Sequence, residues 1–469
     1  MRLASLIIAS LCAPAPAPAL PVQEAPARAA SVTGGALADG AVVEDWPAFL
    51  GPRRNGVSLE RPLASRFSAA GPKLVWAVER GEGLASPAVG EGRLVFTHRE
   101  EGQVHVDCLD PETGARRWRS SFPCDYSGRY FDNGGPRATP AIAAGHVVVH
   151  GAGGTLVCLA LETGEVVWKR DTAVEYKVGD DYFGVVSSPL VVGDCVIQNV
   201  GAPGGPSVVG LALATGKQRW GAGKEWGPSC ASPVPATIAG KARVLVIAGG
   251  ESRPPTGGLM VLTPSGELTA EYPFRSRTTL SVNGPSPVPV GDSVFLTAAY
   301  NVGSALVDVD AEGRVQERWR DSRGLALEFA TPIYVDGVLF AVDGVSGRTG
   351  AIVALDPATG KELARKDLEF EQAIGAGADA RTVLASVGKG SVTFADGALW
   401  VLGDTGQLLT LRFVEGKFEV LARAPLFYAR ETWTPLVISH GRLYVCQNNA
   451  EPLGGAPARL LCYDIRGGQ

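Results

Sequence analysis

Short runs of alternating apolar and polar residues, separated by glycine-containing turns, recur along most of this chain. In one unit, the run Val338–Phe340 follows a glycine turn, and a second apolar run, Ile352–Leu355, leads into another turn that ends at Gly360. Alternation with a period of two predicts half-buried strands, and glycine in the turns supplies the positive φ that tight corners need. Each unit therefore predicts four short antiparallel strands, the fourth of which often carries a tryptophan.

The first strand of each unit follows a Ser-Pro or Thr-Pro step. Eight such steps are recognisable: Ser86-Pro87, Thr139-Pro140, Ser188-Pro189, Ser232-Pro233, Ser286-Pro287, Thr331-Pro332, Ser391-Val392, where valine stands instead of proline, and Thr434-Pro435. They recur about every 50 residues, which is the spacing of propeller blades. The pattern predicts an all-β fold, an eight-bladed β-propeller of four-stranded antiparallel blades.

The last unit, residues 434–465, contains three predicted strands and lacks a fourth. A strand at 73–76 precedes the first step and ends in Trp76, as the fourth strands of other units do. We therefore expect this N-terminal strand to close the ring beside the C-terminal strands, which removes exposed sheet edges. The stretch 46–58 is expected to pack as a cap over one face.

Residues 1–30 are typical of an export signal. Arg2 is the single charge before the apolar run 3–13, which is too short to span a bilayer, and small residues suited to cleavage follow. Residues 31–44 are predicted to be a flexible linker and residues 45–466 the propeller. No later apolar run reaches the ~18 residues of a transmembrane helix. We expect an exported protein of the periplasm or the extracellular space, without a transmembrane segment.

Composition and charge narrow the possible functions. Hydrophobic residues make up 45% of the 469 residues and charged ones 19%, which excludes a disordered chain. A net charge of −5 and no long basic run argue against a nucleic-acid partner. The sequence has neither a Gly-x-Ser-x-Gly elbow nor a P-loop. His146 and His150 share one strand face but lie roughly 13 Å apart, too far for one zinc ion. The sequence thus predicts neither catalytic residues nor a metal site.

Several motifs resemble a known family. The run Asp110-Pro111-Glu112-Thr113-Gly114 with Trp118, and the run 354–361, resemble the tryptophan-docking repeat of quinoprotein β-propellers, which are named after pyrroloquinoline quinone, PQQ. The stretches 128–140, 182–192 and 46–58 are similar to exported bacterial PQQ-like repeat proteins. The resemblance covers about residues 45–466. The family that it indicates includes the lipoprotein scaffold of the outer-membrane assembly machine.

This family contains both scaffolds and alcohol dehydrogenases. The resemblance to the enzymes would imply a quinone held by Ca²⁺ on carboxylate and asparagine ligands, a catalytic aspartate and an adjacent cysteine pair, but no two cysteines are adjacent here. We therefore expect a non-catalytic exported propeller without a cofactor, which acts as a binding or scaffold protein of the cell envelope. The alternative is a PQQ-dependent dehydrogenase that uses Ca²⁺ and oxidises an alcohol or a sugar.

The connections that precede the Ser/Thr-Pro steps gather on one face of a propeller, and here they mix aromatic residues with Arg, Asp and Asn, as binding surfaces do. We expect a protein or small-molecule ligand to bind this loop face. The candidate residues are Arg129, Tyr130, Asp132, Asn133, Arg137, Asp180, Asp181, Tyr182, Asn283, Glu431 and Trp433. The alternative for these residues is that charged side chains pair with one another around a polar channel and hold the loops in place.

Overall fold

The structure is a computed structural model that describes residues 37–127, 133–178, 183–250, 255–278, 281–345, 349–375, 380–452 and 455–467. The predicted signal peptide lies outside these ranges. The described residues confirm an all-β fold of eight four-stranded antiparallel sheets, the blades. No helix in the described part of the chain combines the length and apolar composition of a membrane span.

The first four blades follow one another along the chain after an N-terminal strand, β1 (Lys73–Glu79). Blade one is β2 (Ala88–Gly90), β3 (Arg93–Glu100), β4 (Gln103–Leu109) and β5 (Arg116–Pro123). Blade two is β6 (Ala141–Ala143), β7 (His146–His150), β8 (Thr155–Ala160) and β9 (Val166–Asp171), followed by a single helix, α1 (Thr172–Tyr176). Blade three is β10 (Leu190–Val192), β11 (Cys195–Asn199), β12 (Val208–Ala212) and β13 (Gln218–Ala222). Blade four is β14 (Val234–Ile238), β15 (Lys241–Ala248), β16 (Gly258–Leu262) and β17 (Leu268–Pro273).

The remaining blades follow the same order. Blade five is β18 (Val288–Val290), β19 (Ser293–Ala298), β20 (Gly303–Val309) and β21 (Val315–Asp321). Blade six is β22 (Ile333–Val335), β23 (Val338–Val345), β24 (Thr349–Leu355) and β25 (Glu362–Asp367), and a hairpin, β26 (Glu369–Ile374) and β27 (Arg381–Ser386), follows it. Blade seven is β28 (Ser391–Ala395), β29 (Ala398–Leu402), β30 (Gln407–Val414) and β31 (Lys417–Pro425). Blade eight is β32 (Val437–Ser439), β33 (Arg442–Gln447) and β34 (Arg459–Asp464), completed by β1.

Ring closure follows the prediction. Strand β1 pairs antiparallel with β34, from Lys73 opposite Asp464 to Glu79 opposite Arg459. The hairpin β26–β27 is an addition that the repeat pattern does not contain, because it lies between two units rather than within one.

The hydrophobic core is divided among the blade interfaces. In the described residues, buried apolar side chains form eight clusters, and each cluster joins the facing sides of two adjacent blades. Between blades one and two, for example, Val106 packs in the same cluster as Val147 and Val157. A single blade cannot bury both of its faces, so the ring gains its stability from stacking.

Tryptophans connect blades near the outer rim. The indole of a fourth strand lies on the turn glycine of the next blade, as in the pairs Trp76–Gly114, Trp118–Gly164, Trp168–Gly216, Trp220–Gly266 and Trp319–Gly360. The indole Nε1 of Trp118 also donates to the carbonyl of Leu161, at 2.9 Å. A Cβ atom on Gly164 would lie 2.5 Å from the Trp118 ring, so the turn needs glycine for this approach as well as for its φ of +74°.

Hydroxyl groups connect the blades near the axis. From blade one to blade six, the backbone N–H of each Ser or Thr donates to the hydroxyl oxygen of the next one: Ser86 to Thr139 (3.3 Å), Thr139 to Ser188 (2.9 Å), Ser188 to Ser232 (2.9 Å), Ser232 to Ser286 (3.0 Å) and Ser286 to Thr331 (2.9 Å). At blade eight, Thr434 Oγ1 donates to the Leu84 carbonyl, at 2.8 Å. We call these contacts the hydroxyl ring, which is interrupted at blade seven, where the buried Ser391 hydroxyl has no partner among the described residues. The contacts explain why the repeat keeps Ser or Thr before proline, since Ser391 is also the step that lacks proline.

Each inner strand begins next to its Ser/Thr-Pro step. The stretch 46–58 covers the opposite ends of these strands. The backbone of Trp46 pairs with Val89 of blade one, and Ser58 N donates to Phe394 O of blade seven, at 2.8 Å. Between these points the buried Arg54 donates to the carbonyl oxygens of Pro189 and Pro233. Burial lowers the pKa of this guanidinium to about 9. The stretch therefore caps one end of the channel.

Replacing Gly164 by Ala should destabilise the fold more than the same change at Gly145 in the same blade. Both glycines have φ above +70°, but a Cβ atom on Gly145 meets no atom within 4 Å. We expect Gly145→Ala to lower the free energy of unfolding by about 1 kcal/mol, because of backbone strain. Gly164→Ala should carry the same strain and lose about 1–3 kcal/mol more, because the new methyl group overpacks against Trp118. Urea unfolding followed by tryptophan fluorescence measures both. Equal losses would contradict the contact.

Ser188→Ala should destabilise the ring by about 1–3 kcal/mol, because it leaves the buried N–H of Thr139 without its acceptor. Ser188→Thr is the matched control, since threonine keeps the oxygen and occupies this position in other blades. The two unfolding midpoints decide the matter: if the alanine variant is as stable as the threonine variant, the hydroxyl ring does not hold the blades.

Candidate functional site

A cavity of about 120 Å³ lies on the axis of the ring. One position recurs in its wall in seven of the blade connections, namely the residue two places before the Ser or Thr of each step. These residues are Leu84, Arg137, Val186, Cys230, Gly284, Phe329 and Lys389. The hydroxyl ring aligns most of them, because it joins equivalent backbone positions of neighbouring connections from blade one to blade six. The step residues Ser188, Ser232, Thr331 and Ser391 also line the cavity.

The cap and the eighth connection complete the cavity. Phe49 and Leu50 form its floor, and Trp433 replaces the wall residue at blade eight. The Trp433 ring stacks on Phe329, with centroids 5.2 Å apart and planes 22° apart. Phe183 contacts Phe329 edge-on at 6.1 Å. The cavity is therefore largely apolar, with an aromatic patch on one side.

Arg137 is the most deeply buried charge of the wall, with 6% of its surface exposed. Its guanidinium donates to the carbonyl oxygens of Gly135 and Asn133, the latter at 2.6 Å, and lies 5.0 Å above the ring of Tyr126. Its Nε is buried and has no hydrogen-bond partner among the described residues. Burial lowers the pKa of Arg137, because desolvation disfavours its charged form.

Lys389 has a different environment. Its ammonium group donates to Glu328 Oε2 and lies 5.0 Å from the centre of the Phe329 ring. Glu328 also accepts a hydrogen bond of 2.6 Å from the Tyr300 hydroxyl. The charge of Lys389 is thus already neutralised by a carboxylate, whereas no carboxylate of the described ranges pairs with Arg137.

A second cavity of about 430 Å³ adjoins the axial one between the connections of blades five to seven. The two share Phe329, Ala330 and Lys389 in their walls. The outer cavity also contains Glu328 and an ion pair of Arg365 with Asp343, whose atoms lie 2.8 Å apart. The loop face therefore presents a charged outer cavity beside an apolar inner one.

The structure places the predicted site residues in three groups. Arg137 and Trp433 line the axial cavity. Asn133, Asn283 and Glu431 do not line it. The predicted residues Arg129, Tyr130, Asp132, Asp180, Asp181 and Tyr182 lie outside the described residues.

Asn133, Asn283 and Glu431 hold the connections in shape. Asn133 Oδ1 accepts from Gly135 N at 3.1 Å, and Asn283 Nδ2 donates to the Gly249 carbonyl at 3.0 Å. Glu431 Oε2 accepts from the Asn449 amide at 3.1 Å, and burial raises the pKa of the Glu431 carboxyl. For these three residues, the interpretation that polar groups hold the loops fits their contacts.

Sequence reasoning missed Lys389, Phe329 and the floor residues Phe49 and Leu50. The signal for the first two was available, because each precedes its Ser or Thr by two positions, like Arg137. No group of three or more His, Cys, Asp and Glu side chains in the described ranges is arranged to hold a metal ion.

Comparisons with known proteins place the chain in a family. The family model described as outer membrane protein assembly factor BamB matches residues 61–223 and 102–349, which together span more than half of the chain. No curated protein matches the sequence.

Three solved structures resemble the fold. Quinohemoprotein alcohol dehydrogenase from Comamonas testosteroni is 14% identical, with a TM-score of 0.58 over 91% of this chain and 81% of its own. A europium-containing methanol dehydrogenase is 12% identical, with a TM-score of 0.57 over 90% and 98%. BamB from Moraxella catarrhalis is 14% identical, with a TM-score of 0.52 over 84% and 100%. These low identities establish the fold alone. With the family match and the repeat geometry, the chain belongs to the PQQ-like β-propeller repeat proteins of the BamB family.

Proposed function

We propose that this protein is a non-catalytic binding or scaffold protein of the cell envelope, exported to the periplasm or the extracellular space, which engages a partner through its loop face. The family match to an outer membrane protein assembly factor carries the proposal. The cap supports it, because residues 46–58 cover the opposite end of the channel and leave the connections as the side from which the axial cavity is approached.

The alternative is a PQQ-dependent dehydrogenase acting on an alcohol or a sugar, and the likeness to two dehydrogenase structures favours it. A quinone held by Ca²⁺ needs oxygen ligands, since calcium binds carboxylates and carbonyls. The described lining of the axial cavity includes no Asp or Glu side chain, and it contributes two cations, Arg137 and Lys389. These residues do not fit a calcium-held quinone, and we propose no step through one.

The quinone alternative is tested on the purified protein with PQQ, with and without Ca²⁺, followed by dye-linked oxidation of alcohols and sugars. We expect no turnover and no effect of Ca²⁺ on any quinone binding, because the described wall offers no carboxylate to the metal. Stoichiometric, Ca²⁺-dependent binding with turnover would replace the scaffold proposal by the enzyme.

The scaffold proposal is tested in intact cells with a photo-crosslinking residue at Asp125 or Arg430, which are exposed on the loop face. Glu415 is the matched control, since it is exposed in the β30–β31 turn at the capped end. We expect a discrete, light-dependent adduct from the two loop-face positions and none from Glu415. Adducts of equal yield from Glu415, or none from any position, would contradict a partner on the loop face.

A further inference from the structure

The wall of the axial cavity has an unbalanced charge. Its described lining contains the cations Arg137 and Lys389 and no carboxylate. Lys389 is paired with Glu328, whose carboxylate reaches it from the outer cavity. Among the described residues, the charge on Arg137 therefore has no carboxylate partner beside this apolar space.

Arg137 has the features of a preformed anion site. No described carboxylate lies within ion-pair distance of it, and Glu82, the nearby acid that acts on it electrostatically, pairs with Arg99 at 3.2 Å. The carbonyl oxygens of Gly135 and Asn133 fix the guanidinium and engage two of its five N–H groups, while the buried Nε has no partner in the described residues. A buried cation with unused donors is costly until an anion binds it.

The chemistry of the anion follows from the count of charges and from the neighbouring rings. A single uncompensated guanidinium suits a monoanion, and its planar fork matches a carboxylate. Phe329 and Trp433 offer stacked aromatic surface within the same cavity. The cavity volume of about 120 Å³ is comparable to the roughly 150 Å³ of an engineered protein cavity that binds benzene, which is the size of one ring.

We propose that the axial cavity binds a monocarboxylate carried on an aromatic group, with the carboxylate against Arg137 and the ring against Phe329 and Trp433. The site needs no metal ion. The inference rests on the proposed function and deepens it, because it names the ligand chemistry that the loop face would recognise, either in a free acid or at the C-terminus of a partner chain.

The first test is titration calorimetry of the full chain in EDTA with 3-phenylpropanoate and with the neutral 3-phenylpropanamide. The two probes share size and ring and differ in charge. We expect the acid to bind at least about tenfold more tightly than the amide, since hydrogen bonds to a charged partner supply that difference. Equal affinities, or no binding of either probe, would overturn the proposal without relying on any variant.

The second test assigns the preference to Arg137. Arg137→Gln should remove the preference for the acid and leave amide binding within about twofold, whereas Arg117→Gln, an exposed arginine of blade one paired with Asp110, should change neither. Thermal melts show whether each variant is folded. If Arg137→Gln does not fold, Trp433→Ala serves instead and should weaken both probes. An undiminished acid preference in folded Arg137→Gln would overturn the assignment.

Peptides distinguish the two sources of the carboxylate. A tripeptide ending in phenylalanine is compared as its free acid and as its amide. If the peptide acid binds more tightly than 3-phenylpropanoate, the site recognises a chain terminus. If 3-phenylpropanoate binds more tightly, the site recognises a free acid. If loop-face crosslinks form while no acid binds, the ligand chemistry is wrong and the scaffold role stands. If neither is observed, both fail.

Discussion

Everything in this molecule depends on the contact between one blade and the next. A four-stranded sheet with two apolar faces is unstable alone, and the eight interfacial clusters bury those faces in pairs. Two kinds of contact set the register of the stacking. At the rim, an indole lies on the turn glycine of the next blade. Near the axis, the hydroxyl oxygen of one Ser or Thr accepts a hydrogen bond from the backbone N–H of the equivalent residue in the preceding blade. Replacing either partner changes the fit of two blades at once.

The candidate site is a consequence of that stacking. The hydroxyl ring joins equivalent backbone positions of blades one to six, and the residue two places earlier lines the same small space in seven of the connections. The repeat thus creates a ring of wall positions whose side chains differ from blade to blade. Arg137, Phe329 and Lys389 occupy three of them, which gives the cavity its charge and its aromatic patch.

Much of the fold could be predicted from the sequence because it is periodic. The spacing of the Ser/Thr-Pro steps indicated eight blades, and the tryptophan at the end of residues 73–76 indicated the closing strand, now seen as β1 on β34. The hairpin β26–β27 could not be found this way, because it interrupts the repeat and has no counterpart in other units.

The site was predicted less well. Aromatic and charged composition selected Arg137 and Trp433, which line the axial cavity. It also selected Asn133, Asn283 and Glu431, whose polar groups bind the backbone and neighbouring amides. Composition does not tell a side chain that turns inward from one that holds a loop. The position of a residue relative to the Ser or Thr of its step does distinguish the two cases. This criterion would have added Lys389 and Phe329 to the candidate residues.

We propose above that the axis of this propeller is a metal-independent site for an anionic aromatic ligand. The most direct measurement is a crystal structure of the protein grown with 3-phenylpropanoate and without calcium. We expect the carboxylate within hydrogen-bond distance of the Arg137 guanidinium and the ring against Phe329 and Trp433. A cavity filled by water at a saturating acid concentration, or an acid bound elsewhere on the ring, would contradict it.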